Sequence, residues 1–311
     1  MRIALLGAGT VGGAVARLLE RRPRLRIEVA GAFVRDASRS RDGIVRATAE
    51  PFELLDDPGI DAVVEVLGGE EPARSLILAA LERGKHVVTA NKLVLATHWT
   101  ELQDAARAAK RELRYEAAVG AAMPIIAALR ALAGTRIVSL RAILNGTTNY
   151  ILTRMEDEAT FFEDALGAAQ RAGYAEADAS MDIDGLDPAY KLAICVATIE
   201  RRPFASEHVR RESIRGVTAQ RLGEAKKRGK RLRYVAAADF GEKAVKARVG
   251  LEEVDATSIL AAPRGPENAA EITTTDAGTI VLRGPGAGGD ATATAIVGDL
   301  LAIMAAKRLS S

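Results

Sequence analysis

The chain has 311 residues, beyond the ~250–300 at which a single hydrophobic core stops growing, so two domains are expected. Hydrophobic residues make up 48% and charged residues 27%, a balance that excludes a disordered chain. The formal net charge is +2, from 43 Lys plus Arg against 41 Asp plus Glu, which excludes the one-signed field of a nucleic-acid or membrane-surface binder.

The chain opens on Met1-Arg2-Ile3-Ala4-Leu5-Leu6 with no charged-then-apolar leader, so a cytoplasmic protein is expected. Short apolar runs then alternate with amphipathic stretches, the pattern of βαβ units. Strands are expected at 3–6, 27–34, 62–66, 86–89 and 113–117, and helices at 11–21, 72–83 and 100–110. Pro23 closes the first helix, and Gly84 stands where a glycine would end the helix before His86.

After Val119 the alternation stops. A helix is expected at 124–133, a strand at 137–144, and then Asn145-Gly146-Thr147-Thr148-Asn149-Tyr150; helices follow at 161–172 and 188–199. Cys195, the only cysteine, lies in the last of these among apolar neighbours. It excludes an internal disulfide and reads as a small core residue. Strands are expected at 231–238, 244–251 and 279–282. The basic run 221–233 has no interleaved aromatic platform and reads as a solvated helix face leading into a strand. The segment 284–307 reads as a glycine-rich loop and an apolar helix that returns to the first domain. No apolar run is expected to reach the ~18 residues of a membrane span. His86, His98 and His208 form no His-x-x-x-His pair to hold zinc and read as structural or surface residues. The fold class is thus α/β: a nucleotide-binding domain over 1–120, with 284–311 returning to it, and a second, α+β domain over 121–283 for substrate and dimer contacts.

Gly7-Ala8-Gly9-Thr10-Val11-Gly12 follows a strand and opens a helix, the context in which Gly-x-Gly-x-x-Gly signals a Rossmann dinucleotide site. Gly7 permits the turn, Gly9 lets backbone approach a diphosphate, and Gly12 lets helix and strand pack closely. The amides of Thr10 and Val11 then face the phosphates. Gly68, just past the third expected strand, joins the cofactor-binding set. An acid at the end of the second strand would hold the ribose of NAD, but Glu28 lies near that strand's start. The end reads Phe33-Val34-Arg35-Asp36, with Arg39 and Arg41 beyond. Arg35 is placed to pair with a 2′-phosphate, whose geometry suits a guanidinium. NADP is favoured; these arginines could also merely solvate a loop, and NAD stays open.

Two further segments carry chemistry. Thr89-Ala90-Asn91-Lys92 follows a strand end, where ligands gather in doubly wound sheets. Gly173-Tyr174-Ala175-Glu176 leads through Asp182, Asp184 and Gly185 to Asp187 and Lys191, and the last two share one helix face if Pro188 lies in the first turn.

With these segments on view, the chain resembles homoserine dehydrogenase. The resemblance rests on the motif 7–12, Ala90-Asn91-Lys92, Tyr115-Glu116-Ala117-Ala118-Val119-Gly120, Asn145-Gly146-Thr147-Thr148-Asn149-Tyr150-Ile151-Leu152, the stretch 173–191, and Gly284-Pro285-Gly286-Ala287-Gly288, in the family's order over nearly the whole chain. It implies reversible NAD(P)-dependent interconversion of L-aspartate 4-semialdehyde and L-homoserine, on the branch to threonine and methionine. Lys191 then resembles the catalytic lysine, Asp187 orients it or the substrate, and Lys92 resembles a second lysine near the nicotinamide. Glu176 would hold the substrate ammonium, with Gly173 and Asp182 beside it, and Gly288 would close over cofactor or substrate. The family's monovalent cation, commonly sodium, maps to Glu116, Val119, Ala121 and Met123, although Ala121-Ala122-Met123-Pro124 is less glycine-rich than the family's loop. A homodimer is implied. So is a short form, without the C-terminal threonine-sensing domain or fused aspartate kinase of some relatives. Two other readings stay open: a related dehydrogenase for another short amino-acid aldehyde, and a silent NADP-binding sensor.

Overall fold

The structure is a computed structural model describing residues 1–39 and 42–309; Arg41 lies outside the described residues. The chain divides into two compact units, Met1–Ala122 with Gly288–Ser311, and Met123–Ala287.

The first unit runs β1 (Arg2–Leu6), α1 (Thr10–Glu20), β2 (Glu28–Phe33), β3 (Ala47–Thr48), α2 (Phe52–Leu55), β4 (Ala62–Glu65), α3 (Ala73–Glu82), β5 (His86–Thr89), α4 (Lys92–Ala109) and β6 (Leu113–Arg114). All six strands are parallel, in the order β3-β2-β1-β4-β5-β6. This is the doubly wound Rossmann order, and its direction reverses between β1 and β4, where ligands bind beyond the strand ends. Covered on both faces, β1 and β4 are uniformly buried, which is why they read as apolar runs and not as alternations. Ala14, Val15 and Leu19 of α1 join Ile3, Leu5, Val64 and Val88 of the sheet in one core.

A C-terminal helix, Gly289–Leu309, adds Ala293, Ile296, Val297, Leu300 and Ile303 to that core. Contrary to expectation, its segment Gly289–Ala306 is long and apolar enough by length and composition to cross a membrane. The apolarity has a nearer cause, the stripe it buries against α1 and the sheet.

The second unit contains α5 (Ile125–Ala131), β7 (Ile137–Ile143), α6 (Gly146–Glu158), α7 (Phe162–Arg171), α8 (Ser180–Ile183), α9 (Leu186–Glu200), β8 (Val209–Arg211), α10 (Ala219–Lys227), β9 (Lys230–Phe240), β10 (Val245–Asp255), β11 (Glu267–Thr274) and β12 (Thr279–Pro285). Its mixed sheet is ordered β12-β11-β7-β9-β10-β8, and every neighbouring pair is antiparallel except β10 with β8.

Several elements differ from expectation. The helix expected at 100–110 begins at Lys92, because the Asn91 side chain caps it by accepting from Val94 N at 3.2 Å. A kink at His98 (φ −117°, ψ 28°) breaks its periodicity. The segment after Asn145 is helical for the same reason, with Asn145 Oδ1 accepting from Thr148 N at 2.8 Å. The strand β11 is carried by pairing on both sides rather than by β-branched composition. Gly284 and Pro285 belong to β12, so the chain returns to the first unit at Gly288 and not at Gly284, and Ala121 and Ala122 stay with that unit. Arg233, which ends the basic run 221–233 inside the strand, is fully buried and bonds the Glu156 carboxylate of α6 at 3.2 Å. Cys195 is buried in α9.

Candidate active site

In the first unit, β1 ends at Leu6 and the chain bends at Gly7, whose φ is +106°. A Cβ on Gly12 would stand 2.1 Å from Gly7 O, so only glycine lets α1 start this close beneath the bend. Gly9 precedes α1 without any side-chain cap, and a Cβ there would meet nothing within 4 Å. The first amides of α1, at Thr10 and Val11, are thereby left for an anion. The C-terminal helix starts beside them, since a Cβ on Gly289 would lie 3.2 Å from Thr10 O. Gly68 (φ +77°) and Gly288 (φ +109°) are both open, with nothing within 4 Å of a Cβ.

A cavity of ≈ 540 Å³ lies along this bend, lined among others by Gly9, Phe33, Arg35, Asp36, Arg39 and Val66. Asp36 accepts from Ser38 N at 3.1 Å and Ser38 Oγ at 2.5 Å and pairs with Arg39 at 3.0 Å. Arg35 is exposed, with no protein partner among the described residues. Glu28 opens β2, at the far end from the cavity, and lies 3.9 Å from Arg2. The cradle thus fits a dinucleotide: open glycine, unspent amides, and a guanidinium at the end of β2.

In the second unit, the turn from β7 into α6 meets the start of α9. Asn145 Nδ2 donates to Asp182 Oδ1 at 2.6 Å and to Asp187 Oδ2 at 2.8 Å. Lys191 Nζ donates to the same Asp187 Oδ2 and to Leu144 O, both at 2.8 Å. Asp187 is 4% exposed, and with Pro188 in the first turn of α9 its carboxylate lies one turn from Lys191. An ammonium has three N–H donors, so Lys191 is held by two and keeps one. Burial, and then the neighbouring Asp187, push the Asp182 carboxyl above the usual range. Thr147 Oγ1 donates to Tyr174 O at 2.6 Å and ties down the segment after Gly173. Gly173 itself ends α7, with Tyr174 N donating to Ala169 O at 2.9 Å.

The structure brings Asp182, Asp187 and Lys191 together but bonds Glu176 to none of them. The Glu176 side chain is exposed, and Gln170 holds its backbone oxygen at 3.2 Å. Lys92 is the first residue of α4 and half-buried. Glu116 is buried, its N–H donating to Asp299 Oδ2 of the C-terminal helix at 2.9 Å. Its carbonyl accepts from Val119 N and Gly120 N, both at 3.2 Å, and Ala121 adopts φ +48°. Val119 and Ala121 are buried, as is Met123 in the second unit, whose carbonyl accepts from Ile125 N at 2.8 Å. No group of three His, Cys, Asp or Glu that could hold a metal occurs among the described residues.

Residues 124–301 match the family model for homoserine dehydrogenase, and residues 7–116 match that for its NAD-binding domain. The chain belongs to the homoserine dehydrogenase family. It is thus an oxidoreductase acting on a CH–OH group, with a domain for a nicotinamide dinucleotide. The homoserine dehydrogenase of Corynebacterium glutamicum is 39% identical over 314 residues, covering 96% of this chain and 71% of the relative. The crystal structure of a homoserine dehydrogenase from Thiobacillus denitrificans superposes with a TM-score of 0.93 at 38% identity, covering 97% of this chain and 73% of that one. A hyperthermophilic archaeal homoserine dehydrogenase, solved in complex with NADPH, gives a TM-score of 0.85 at 29% identity, covering 98% of this chain and 97% of that one. Within a homoserine dehydrogenase, the residue that sequence reasoning passed over is Asn145. It stands inside the motif 145–152 and links both acids to the turn before α6. An asparagine directly after a strand and before Gly-Thr-Thr is a capping signal, which could have marked it.

Proposed function

We propose that this homoserine dehydrogenase interconverts L-aspartate 4-semialdehyde and L-homoserine with Lys191 as its proton carrier. The supporting observation is the two-point grip on the Lys191 ammonium by Asp187 and Leu144 O, which leaves one N–H for a substrate oxygen. A nicotinamide dinucleotide held at the glycine bend 7–12 would supply the hydride chemistry. In the reducing direction Lys191 gives its third proton to the carbonyl oxygen as that oxygen gains charge; in the oxidising direction the neutral amine takes the hydroxyl proton. Asp187 orients Lys191. Asp182 and the exposed Glu176 offer negative charge to the substrate's ammonium group, with Gly173 shaping the segment that carries Glu176. Lys92 is the second lysine of the proposed catalytic set.

NADP is the favoured cofactor, because Arg35 offers an unengaged guanidinium where β2 ends. Gly7, Gly9, Thr10, Val11, Gly12, Gly68 and Gly288 would hold it through backbone. The residues that would hold a monovalent cation such as sodium are Glu116, Val119, Ala121 and Met123, through backbone oxygens; the left-handed turn at Ala121 is the feature in its favour. The working form is a cytoplasmic homodimer joined through the second unit, and the buried single thiol suits a reducing compartment.

The test is absorbance at the nicotinamide band with homoserine, close analogues and each cofactor, using the native chain and Lys191→Ala. We expect turnover of homoserine above its analogues and a kcat loss of about 10²–10⁴-fold in the variant. Near-native rates in Lys191→Ala would overturn the role, and equal use of analogues would move the substrate to another short amino-acid aldehyde.

A further inference from the structure

At the carboxyl ends of β4 and β5, a closed ring of hydrogen bonds surrounds a carboxylate shut off from solvent. Glu65 is 0% exposed. Its Oε1 accepts from Leu67 N at 2.8 Å and its Oε2 from the Thr89 hydroxyl at 2.5 Å. The Thr89 oxygen accepts in turn from Asn91 N at 3.0 Å, and Asn91 Nδ2 donates to Gly69 O at 2.7 Å. That bond returns the ring to the turn that began at Leu67. Asn91 Oδ1 meanwhile caps α4, whose first residue is Lys92.

Residues 62–64, which precede Glu65 in β4, are Ala, Val and Val, all fully buried. A further aliphatic residue would fill the Glu65 site without taking a carboxylate out of water, so burial of an acid there calls for a reason. Burial pushes the Glu65 carboxyl up, and hydrogen bonds from Thr89, Leu67, Asn91 and Gly68 offset only part of that rise. What the acid supplies, and an aliphatic could not, is two acceptors facing two different turns.

We propose that Glu65 is a positioning residue for hydride transfer: its carboxylate locks the turn carrying Gly68 and Gly69 to the turn carrying Asn91 and Lys92. The proposal rests on the reading that Gly68 and Lys92 serve the cofactor end of the reaction. The ring fixes the two turns against each other before any ligand arrives, so reactive geometry is set in advance and not on binding.

Three variants test it. Thr89→Val keeps shape and removes the hydroxyl, opening the ring. Asn91→Ser keeps a good helix cap but cannot reach Gly69 O, opening it elsewhere. Thr89→Ser keeps the hydroxyl. We expect kcat to fall about 10²-fold in the first two, with KM for homoserine unchanged, and Thr89→Ser to recover most of the loss. In the cofactor-free protein, amide exchange at Leu67 and Asn91 should accelerate in the same two variants. Native kcat, native exchange or no recovery by Thr89→Ser would overturn the proposal; if Thr89→Val does not fold, Asn91→Ser decides. Lys92→Ala separates this outcome from the reading beneath it. Normal kcat in Lys92→Ala beside a loss in Thr89→Val removes Lys92 from the reaction and leaves the ring acting through Gly68 and Gly69. The reverse pattern removes the ring and keeps Lys92.

Discussion

Gly185→Ala should damage both stability and turnover, and the structure gives the size of each effect. Gly185 precedes α9 with φ +78°, a conformation that costs an L-residue roughly 1–2 kcal/mol. An added Cβ would stand 2.4 Å from Tyr234 Oη, which is buried and donates to Glu212 O at 2.5 Å. The hydroxyl ends a rigid ring, so relief requires moving Tyr234 and breaking a bond worth about 1 kcal/mol. The sum is about 2–3 kcal/mol, or roughly 4–12 °C in Tm for a unit of this size. The alternative relief, a shift of the start of α9, displaces Asp187 and Lys191, and a movement of about 1 Å costs around 10²-fold in rate. The assay is urea unfolding with kcat on a double-mutant cycle with Tyr234→Phe. Removing the hydroxyl removes the clash, so the pair should couple by about 1–2 kcal/mol. A cost of Gly185→Ala under about 1 kcal/mol, or strict additivity with Tyr234→Phe, would refute the reasoning.

Ala121→Gly relieves a left-handed alanine worth roughly 1–2 kcal/mol, against about 0.5–1 kcal/mol for glycine's extra freedom when unfolded; urea midpoints should show equal or higher stability, and a clear loss would contradict the strain at φ +48°. Arg35→Ala should weaken NADP by about 1.5–3 kcal/mol in fluorescence titrations and leave NAD nearly unchanged, and equal losses for both would end the case for NADP. Asp182→Asn should raise thermal stability at neutral pH while raising KM for homoserine. The sign follows from the upward shift of Asp182 by burial and by Asp187: a carboxyl raised on folding stabilises below its unfolded pKa, near ~3.9, and loses that contribution as pH climbs through the folded value. The gap between variant and native Tm should therefore open as pH rises from about 4, and a gap constant with pH would count against the assignment.

The sequence carried the fold where period and breakers agreed. The apolar runs at β1 and β4, the glycine bend at 7–12 and Gly84 after α3 all fall where local chemistry put them. It hid α6 because Gly-Thr-Thr-Asn is poor helix former and good turn former, and only the Asn145 cap with burial of Thr148, Asn149 and Leu152 decides for helix. It hid β11 because a strand paired on both sides needs little from composition. The Asp187 and Lys191 spacing was readable as one helix face, and so was the pair itself. The bridging bonds of Asn145 and Thr89 were not, since each acts across more than twenty residues through a single polar atom, which no local period encodes.

Buried charge in this chain comes in two kinds, and the difference bears on function. Arg233 and Glu156 are both sealed, yet Glu156 is met by Arg231 at 2.7 Å and Arg264 at 3.6 Å as well, so the acid has its countercharge within the protein. Asp182 and Glu65 are different, for burial raises both carboxyls and their hydrogen bonds do not bring them back. Asp182 faces Asp187 across the Asn145 amide, which donates to both acids, and the Lys191 ammonium is bonded to Asp187 and not to Asp182. Nothing in packing requires that shortage of positive charge, because Asn at 182 would satisfy Asn145 equally. On the proposed reading the shortage is supplied from outside, by the ammonium group of an amino-acid substrate. A ligand with the same chain and no ammonium would leave the two acids as they are, and it should bind weakly for that reason alone.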